Sequence, residues 1–314
     1  SGTSCLPWHR QDGSDIYVLP YDTLASYSKP RTPVPLKSTG IIKTMSRNTL
    51  RAESGVRNLS DEQRADALFT NSIARAMQVL AAFHHDNRPL SLAEIAQRAG
   101  IDRSAAQRIV HTLRALGYIT RDEEDRGFLP GIRILDHTLD FLRMNPLVQR
   151  ATPILLELRR NVRERVDLSL FDGQRVVYAA RMQSKRETFY ATLVGHSVPT
   201  FCSSGGWAIM ARLAEDEARA IVETSDRSPF TPRTLTEVDE IMAQIAETRA
   251  RGYSIAVEQI LLGEIAIGVA VTGPTGRPVG AIHVAGSLSE WTPEDFSTRV
   301  APLALEAARA ISHT

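Results

Sequence analysis

Within the stretch from Asn71 to Leu129 the apolar residues switch from a helical to an alternating period, with glycine at the breaks, and this limits the folds open to the chain. Ile73, Ala76, Met77, Leu80 and Phe83 recur at the spacing of one helix face, with Asn71 or Ser72 placed to cap it. Pro89 follows. Ser91, with Glu94 three residues on, is a capping-box pattern opening a second helix, whose apolar face is Leu92, Ile95, Ala96 and Ala99. Gly100 stands where a left-handed residue would end that helix. A third helix is predicted from Asp102 to Leu116, with Ala106, Ile109, Val110 and Leu113 buried and Gly117 as its stop. Tyr118 to Thr120 and Phe128-Leu129 then read as two short strands around the polar turn Asp122 to Gly127.

Three short helices and a hairpin make a winged helix-turn-helix, whose third helix has the dimensions to enter a DNA major groove. Its exposed face is predicted to carry Arg103, Ser104, Gln107, Arg108, His111 and Arg114. Arginine matches the paired acceptors of guanine, and glutamine matches adenine. The chain is nearly neutral, with 37 basic and 36 acidic residues. Between Arg88 and Arg121, however, six arginines face two acids, so positive charge gathers where phosphates would lie. Arg98, Arg114 and Arg121 are assigned to the phosphates. Asp122 to Asp125 are four consecutive acids, a tip expected to point away from the backbone while Arg121 and Arg126 flank it. The same pattern also fits a helical bundle with a solvated arginine face, or an interaction module that meets protein rather than DNA.

A length of 314 residues suggests more than one core. Residues 1–66 hold Pro7, Pro20, Pro30, Pro33 and Pro35 without sustained apolar periodicity, and read as a leader. Ser1-Gly2 is taken as a cloning scar with the start near Met45, the alternative being a native arm with a partner. The remaining divisions are a DNA-binding domain at 67–130, a linker helix at 131–146 (Ile132, Leu135, Leu139, Leu142, broken at Asn145-Pro146) and a further domain at 147–314. In that domain Val166 to Phe171, Arg175 to Arg181, Thr188 to Val194, Ser254 to Val257, Ile265 to Val271 and Val279 to Val284 read as strands. Ala208 to Leu213, Val238 to Arg251 and a segment opened by Thr292-Pro293 read as helices, giving an α+β fold. Cys5 and Cys202 cannot make a disulfide framework, and the expected setting is cytoplasmic, with no membrane span. No cofactor or metal is expected. Gly273 to Arg277 lacks the lysine of a phosphate loop, and His84-His85-Asp86 lacks metal-ligand spacing.

Residues 71–80, Leu90 to Ala96, Gln107 to Val110 leading to Leu116-Gly117-Tyr118, Phe230 to Thr236, and Arg249 to Tyr253 together resemble the IclR-type transcriptional regulators. The resemblance covers about residues 70–312. It implies a winged helix-turn-helix, a linker helix and a C-terminal GAF-like domain that binds a small molecule. Dimers or tetramers on a palindromic operator are implied too, with repression as the expected mode. It also places Pro199 to Ala211 along one wall of the effector pocket. Cys202, Ser203, Ser204, Gly205 and Gly206 would form a turn before a helix at Trp207, offering N–H groups and hydroxyls to a carboxylate. On the other wall the family's acids reduce to Glu258, a common cysteine becomes Ala266, and a Ser-x-Ser-Gly pattern becomes His283-Val284-Ala285-Gly286. The expected ligand is therefore a larger, partly apolar organic acid, aromatic or longer-chain, with His283 supplying a hydrogen bond or a positive charge and Ala285 beside it. Trp207, Tyr190 and Phe201 are candidate pocket aromatics. Two alternatives stay open: a sensor acting through protein contacts, and a thiol enzyme using Cys202 with His196 or His283.

Overall fold

A computed structural model describes residues 65–84, 88–183 and 194–312, together with Gln63. Nearly all of the leader, Cys5, His85-Asp86, Tyr190 and most of the strand expected at Thr188 lie outside the described residues. Among the described residues, no helix is long and apolar enough to cross a membrane.

The first helices are α1 (Asn71–Ala81), α2 (Leu92–Arg98) and α3 (Arg103–Ala115). The Ser91 capping box forms in full, and Asp102 caps α3 by accepting the Ala105 N–H at 2.8 Å. The expected cap of α1 is corrected: Asn71 already lies in the first turn, and Thr70 precedes it without a side-chain cap bond. The expected stripe on α1 is corrected too. Ile73 and Met77 are exposed, because Val79, Ala82 and Phe83 are what meet Leu90, Ile95, Val110 and Ile119 in the core. Gly117 ends α3 at φ +81°, a conformation glycine adopts at little cost. The hairpin is β1 (Ile119–Arg121) and β2 (Phe128–Pro130), and Leu90 pairs with Phe128 as a third short edge.

The linker is α4 (Ile134–Met144), with no buried residue. Asn145-Pro146 ends it and also opens α5 (Pro146–Val162), a helix not predicted from the sequence. The Asn145 side chain accepts the N–H groups of Leu147 and Val148, and proline fits the first helical position because it has no N–H to satisfy.

An antiparallel six-stranded sheet follows, in the order β5-β4-β3-β8-β7-β6. The strands are β3 (Arg165–Asp172), β4 (Arg175–Met182), β5 (Ser197–Pro199), β6 (Ser254–Val257), β7 (Glu264–Thr272) and β8 (Pro278–Ser287). Helices α6 (Ser204–Met210), α7 (Glu215–Thr224) and α8 (Val238–Arg251) lie between β5 and β6 in the chain, and α9 (Pro293–Ser312) closes it. β5 and α7 were not predicted. Strand alternation divides the faces. Ile265, Ile267, Val269, Val271, Ile282 and Val284 pack under α5 and α9. On the opposite face α6 sits so close to the sheet that a Cβ on Gly268 would lie 2.3 Å from the Ser204 carbonyl oxygen.

Candidate functional site

Two places collect chemistry. The first is the outer face of α3. Burial of Ala106, Val110 and Leu113 turns Arg103, Ser104, Gln107, Arg108, His111 and Arg114 outward, and all six are exposed. Ser104, Gln107, Arg108, His111 and Arg114 line an open trough, with Arg121, Arg126 and Phe128 of the hairpin on its far side. The guanidinium groups of Arg114 and Arg121 lie 5.9 and 5.4 Å from the Phe128 ring centre. Arg98 is exposed and donates to the Ala82 carbonyl at 3.1 Å, tying α2 to the end of α1. The acidic tip folds back on its own arginines. Arg121 pairs with Asp125, and Arg126 pairs with Asp122 at 2.8 Å and Glu124 at 3.2 Å. These partners hold the Asp122 and Asp125 carboxyls below their ordinary range.

The second place is a cavity of about 80 Å³ between the sheet and α6, open on one side. Period-two alternation brings Asp167 and Ser169 of β3 and His283 of β8 to its face. β4 contributes through a bulge. Ser169 pairs with Tyr178 but Leu168 with Ala180, so Ala179 has no partner and Tyr178 and Arg181, three apart, both face the cavity. Asp167 is fully buried between two arginines. It accepts from Arg181 Nε at 2.6 Å and Nη2 at 3.0 Å, and from Arg165 Nε at 3.0 Å. Arg165 Nη2 donates onward to Glu264 at 2.9 Å. Two cations and two anions cancel here. Burial opposes the Arg165 charge, but Glu264 and Asp167 outweigh it and hold the guanidinium above its ordinary range.

The His283 ring is fixed from both nitrogens, with Nε2 2.7 Å from Ser169 Oγ and Nδ1 3.1 Å from Ser204 Oγ. Burial lowers its pKa to about 4, against the opposing pull of Asp167. The positive charge expected there is therefore corrected: at neutral pH His283 is an uncharged hydrogen-bonding ring. Tyr178 lies between His196, stacked at 6.2 Å, and His283 at 5.2 Å. Burial, then the Asp167 charge, push its phenol above the usual value, so it too is neutral.

Of the residues expected in the pocket, Ser203, Ser204 and His283 line the cavity, while Cys202, Gly205, Gly206, Glu258 and Ala285 do not. The expected turn before Trp207 is already α6. Ser203 caps it, accepting the Gly206 N–H at 3.1 Å, and the N–H groups expected to hold a carboxylate lie in its first turn. Gly205 and Gly206 serve close packing. A Cβ on Gly205 would lie 2.2 Å from the His283 ring, and one on Gly206 1.9 Å from the Thr200 carbonyl oxygen. Cys202 and Phe201 are fully buried among Trp207 and the residues of α7 and α8. Trp207 donates to the Phe201 carbonyl at 2.6 Å. Glu258, at φ +52°, accepts the Gly263 N–H and shapes the loop after β6. Ala285 pairs with Arg165 in the β3–β8 ladder. Sequence reasoning missed Arg165, Tyr178, Arg181, Gln259 and Glu264 as lining residues. An Arg-x-Asp at the start of β3 and a second arginine, Arg181, on the partner hairpin strand were the available signal.

The family model described as "Bacterial transcriptional regulator IclR C-terminal" matches residues 140–313, and "IclR helix-turn-helix domain" matches 72–123. The chain is 29% identical over 249 residues to the Pca regulon regulatory protein of Pseudomonas putida, covering 79% of this chain and 85% of that one. An IclR family transcriptional regulator from Brucella abortus shares the fold with a TM-score of 0.69 at 22% identity, over 84% of this chain and 97% of that one. An IclR homologue from Microbacterium hydrocarbonoxydans, solved with 4-hydroxybenzoate, shares it with a TM-score of 0.63 at 22% identity, over 77% and 97%. With the first of these models spanning more than half of its length, the chain belongs to the IclR family of bacterial transcriptional regulators.

Proposed function

We propose that residues 67–130 bind a palindromic operator as part of a homodimer or homotetramer, and that an organic acid in the sheet cavity of residues 147–314 controls that binding. The observation that carries the DNA reading is the outward row of Arg103, Ser104, Gln107, Arg108, His111 and Arg114 on a capped helix beside a hairpin. Arg103 and Gln107, four apart, share one face and reach neighbouring base edges. Arg98 and Arg114 serve the phosphates. Arg121 does so only after leaving Asp125.

The cavity supports a compact ligand rather than a long chain, since its volume is about 80 Å³. Ser203, Ser204 and Tyr178 offer hydroxyl groups, His283 orients Ser204 from behind, and Val198, Ala256, Ile260 and Ala266 offer apolar contact. The ligand of the Microbacterium homologue is a single-ring acid of this character. Cys202 lies outside the cavity, buried in a separate apolar cluster, so a thiol nucleophile is not part of the site, which favours binding. Such a protein works in the cytoplasm, where its DNA is.

Footprinting on the DNA upstream of its own gene, at two salt concentrations and with and without small acids, tests the reading. The expected result is a protected palindrome whose occupancy falls steeply with salt and changes with one acid. Binding without a preferred site under every condition would refute it.

A further inference from the structure

Arg165 on β3 reaches diagonally past β8 to Glu264 on β7, two residues from its in-register counterpart Ala266, and both line the cavity. The two arginines differ in access. Arg181 is 5% exposed and bound twice to the fully buried Asp167, whereas the Arg165 and Glu264 side chains are 21% and 19% exposed. Arg165 keeps Nε on Asp167 and Nη2 on Glu264, and its other N–H groups have no partner among the described residues. The Asp167 end is thus a fixed anchor and the Glu264 end an outward, water-facing pair. The cavity is also electrically balanced: two guanidinium groups, two carboxylates, a phenol, and the imidazoles of His196 and His283, both shifted toward the neutral form by burial. A ligand carboxylate added to this set would be an uncompensated charge in a largely buried place, which is unfavourable. Expulsion of one resident carboxylate to water restores the balance, and Glu264 is the one near solvent.

We propose that an acid ligand binds by exchanging its carboxylate for that of Glu264 on Arg165. This rests on the cavity being the effector site. Planar, paired N–H donors on Arg165 suit an incoming carboxylate as well as the resident one. The exchange has a mechanical consequence. Glu264 closes the loop after β6, its N–H donating to the Leu261 carbonyl at 3.2 Å and its carbonyl accepting the Glu258 N–H at 2.8 Å. Gln259, Ile260 and Leu261 of that loop line the cavity. Release of the Glu264 side chain therefore frees the base of a cavity wall, and ligand charge is read as a movement of the loop.

Calorimetric titration of the full chain and of Glu264→Gln with acetate, benzoate and 4-hydroxybenzoate, and with the amide of each, tests the exchange. Removal of the competing carboxylate should tighten binding of the acid that binds by about tenfold or more and leave its amide within about twofold. In the unmodified protein, that acid should raise amide hydrogen exchange at residues 258–264. Equal acid affinity in the two proteins overturns the exchange while leaving an acid effector standing, and so does weaker acid binding in Glu264→Gln. No acid binding to either protein overturns both readings.

Discussion

His283 and Gly205 meet at one contact, and each carries a measurable consequence. The imidazole sits against α6 only because position 205 has no side chain. Gly205→Ala should push the ring off Ser204 and lower stability by about 1–3 kcal/mol, read by denaturant unfolding. His283 itself links stability to pH. Its folded pKa, about 4, lies below the ordinary 6.5 of a solvated imidazole, so the unfolded chain binds more protons between these limits. Stability conferred by the neutral ring is therefore present above pH 6.5 and drains away as pH falls toward 4. His196 is shifted the same way by burial and by Arg181, so the wild-type slope holds both contributions. His283→Asn should flatten the stability profile in this window, and an unchanged slope would show that the ring titrates normally. On α3, Gln107→Ala should lose about 1–3 kcal/mol of specific affinity and relax one base position, measured against single-base operator variants.

The hairpin shows how an element can contradict its own composition. Arg121 and Arg126 look available to phosphates, yet each is paired with an aspartate inside the same turn. These are exposed pairs, worth little to stability and readily exchanged. Their effect falls on the DNA, because a guanidinium already neutralised releases fewer counterions on binding. A double Asp122→Asn, Asp125→Asn variant should bind DNA of any sequence more tightly, with a salt slope steeper by up to about two charges. An unchanged slope would place the hairpin away from the backbone. Helix α6 makes a related point. Its start was expected at position 207, but capping by Ser203 moves it forward and places Gly205 and Gly206 inside a helix despite their poor propensity, because only glycine fits beneath the sheet and the Thr200 carbonyl.

For the whole molecule, the apolar side chains that α4 leaves uncovered bear on the proposed dimer. Leu135, Leu139, Phe141 and Met144 of α4 are exposed, as are Ile132 just before it and Ile73 and Met77 of α1, and large exposed apolar side chains gathered on short segments are typical of interaction surfaces. Leu135→Glu with Leu139→Glu should dissociate the proposed dimer in light scattering and weaken binding to a palindrome far more than to a half-site. A dimer that survives both changes would place the interface elsewhere. The second and third helices of the helix-turn-helix were legible because their signals are local: capping residues, glycine stops and an apolar stripe all act within one or two turns of chain, whereas the cap and buried face of α1 depended on what it packs against. The α+β character of the second half was legible for the same reason, from period-two strands and the Thr292-Pro293 helix start. Helices α5 and α7 and strand β5 were missed. Pro146 and Pro153 mask the helical pattern of the first, and β5 is three residues long. The cavity was least legible. Arg165, Arg181, Asp167, Glu264 and His283 are scattered over more than a hundred positions, and only sheet register, one bulge on β4 and a glycine-lined contact with α6 bring them together. The sequence by itself determined the helices and hairpins that carry their own caps, stops and turns, because those free energies are local. Tertiary structure alone decided which charges cancel, because electrostatic pairing depends on distance in space and on the water that burial removes.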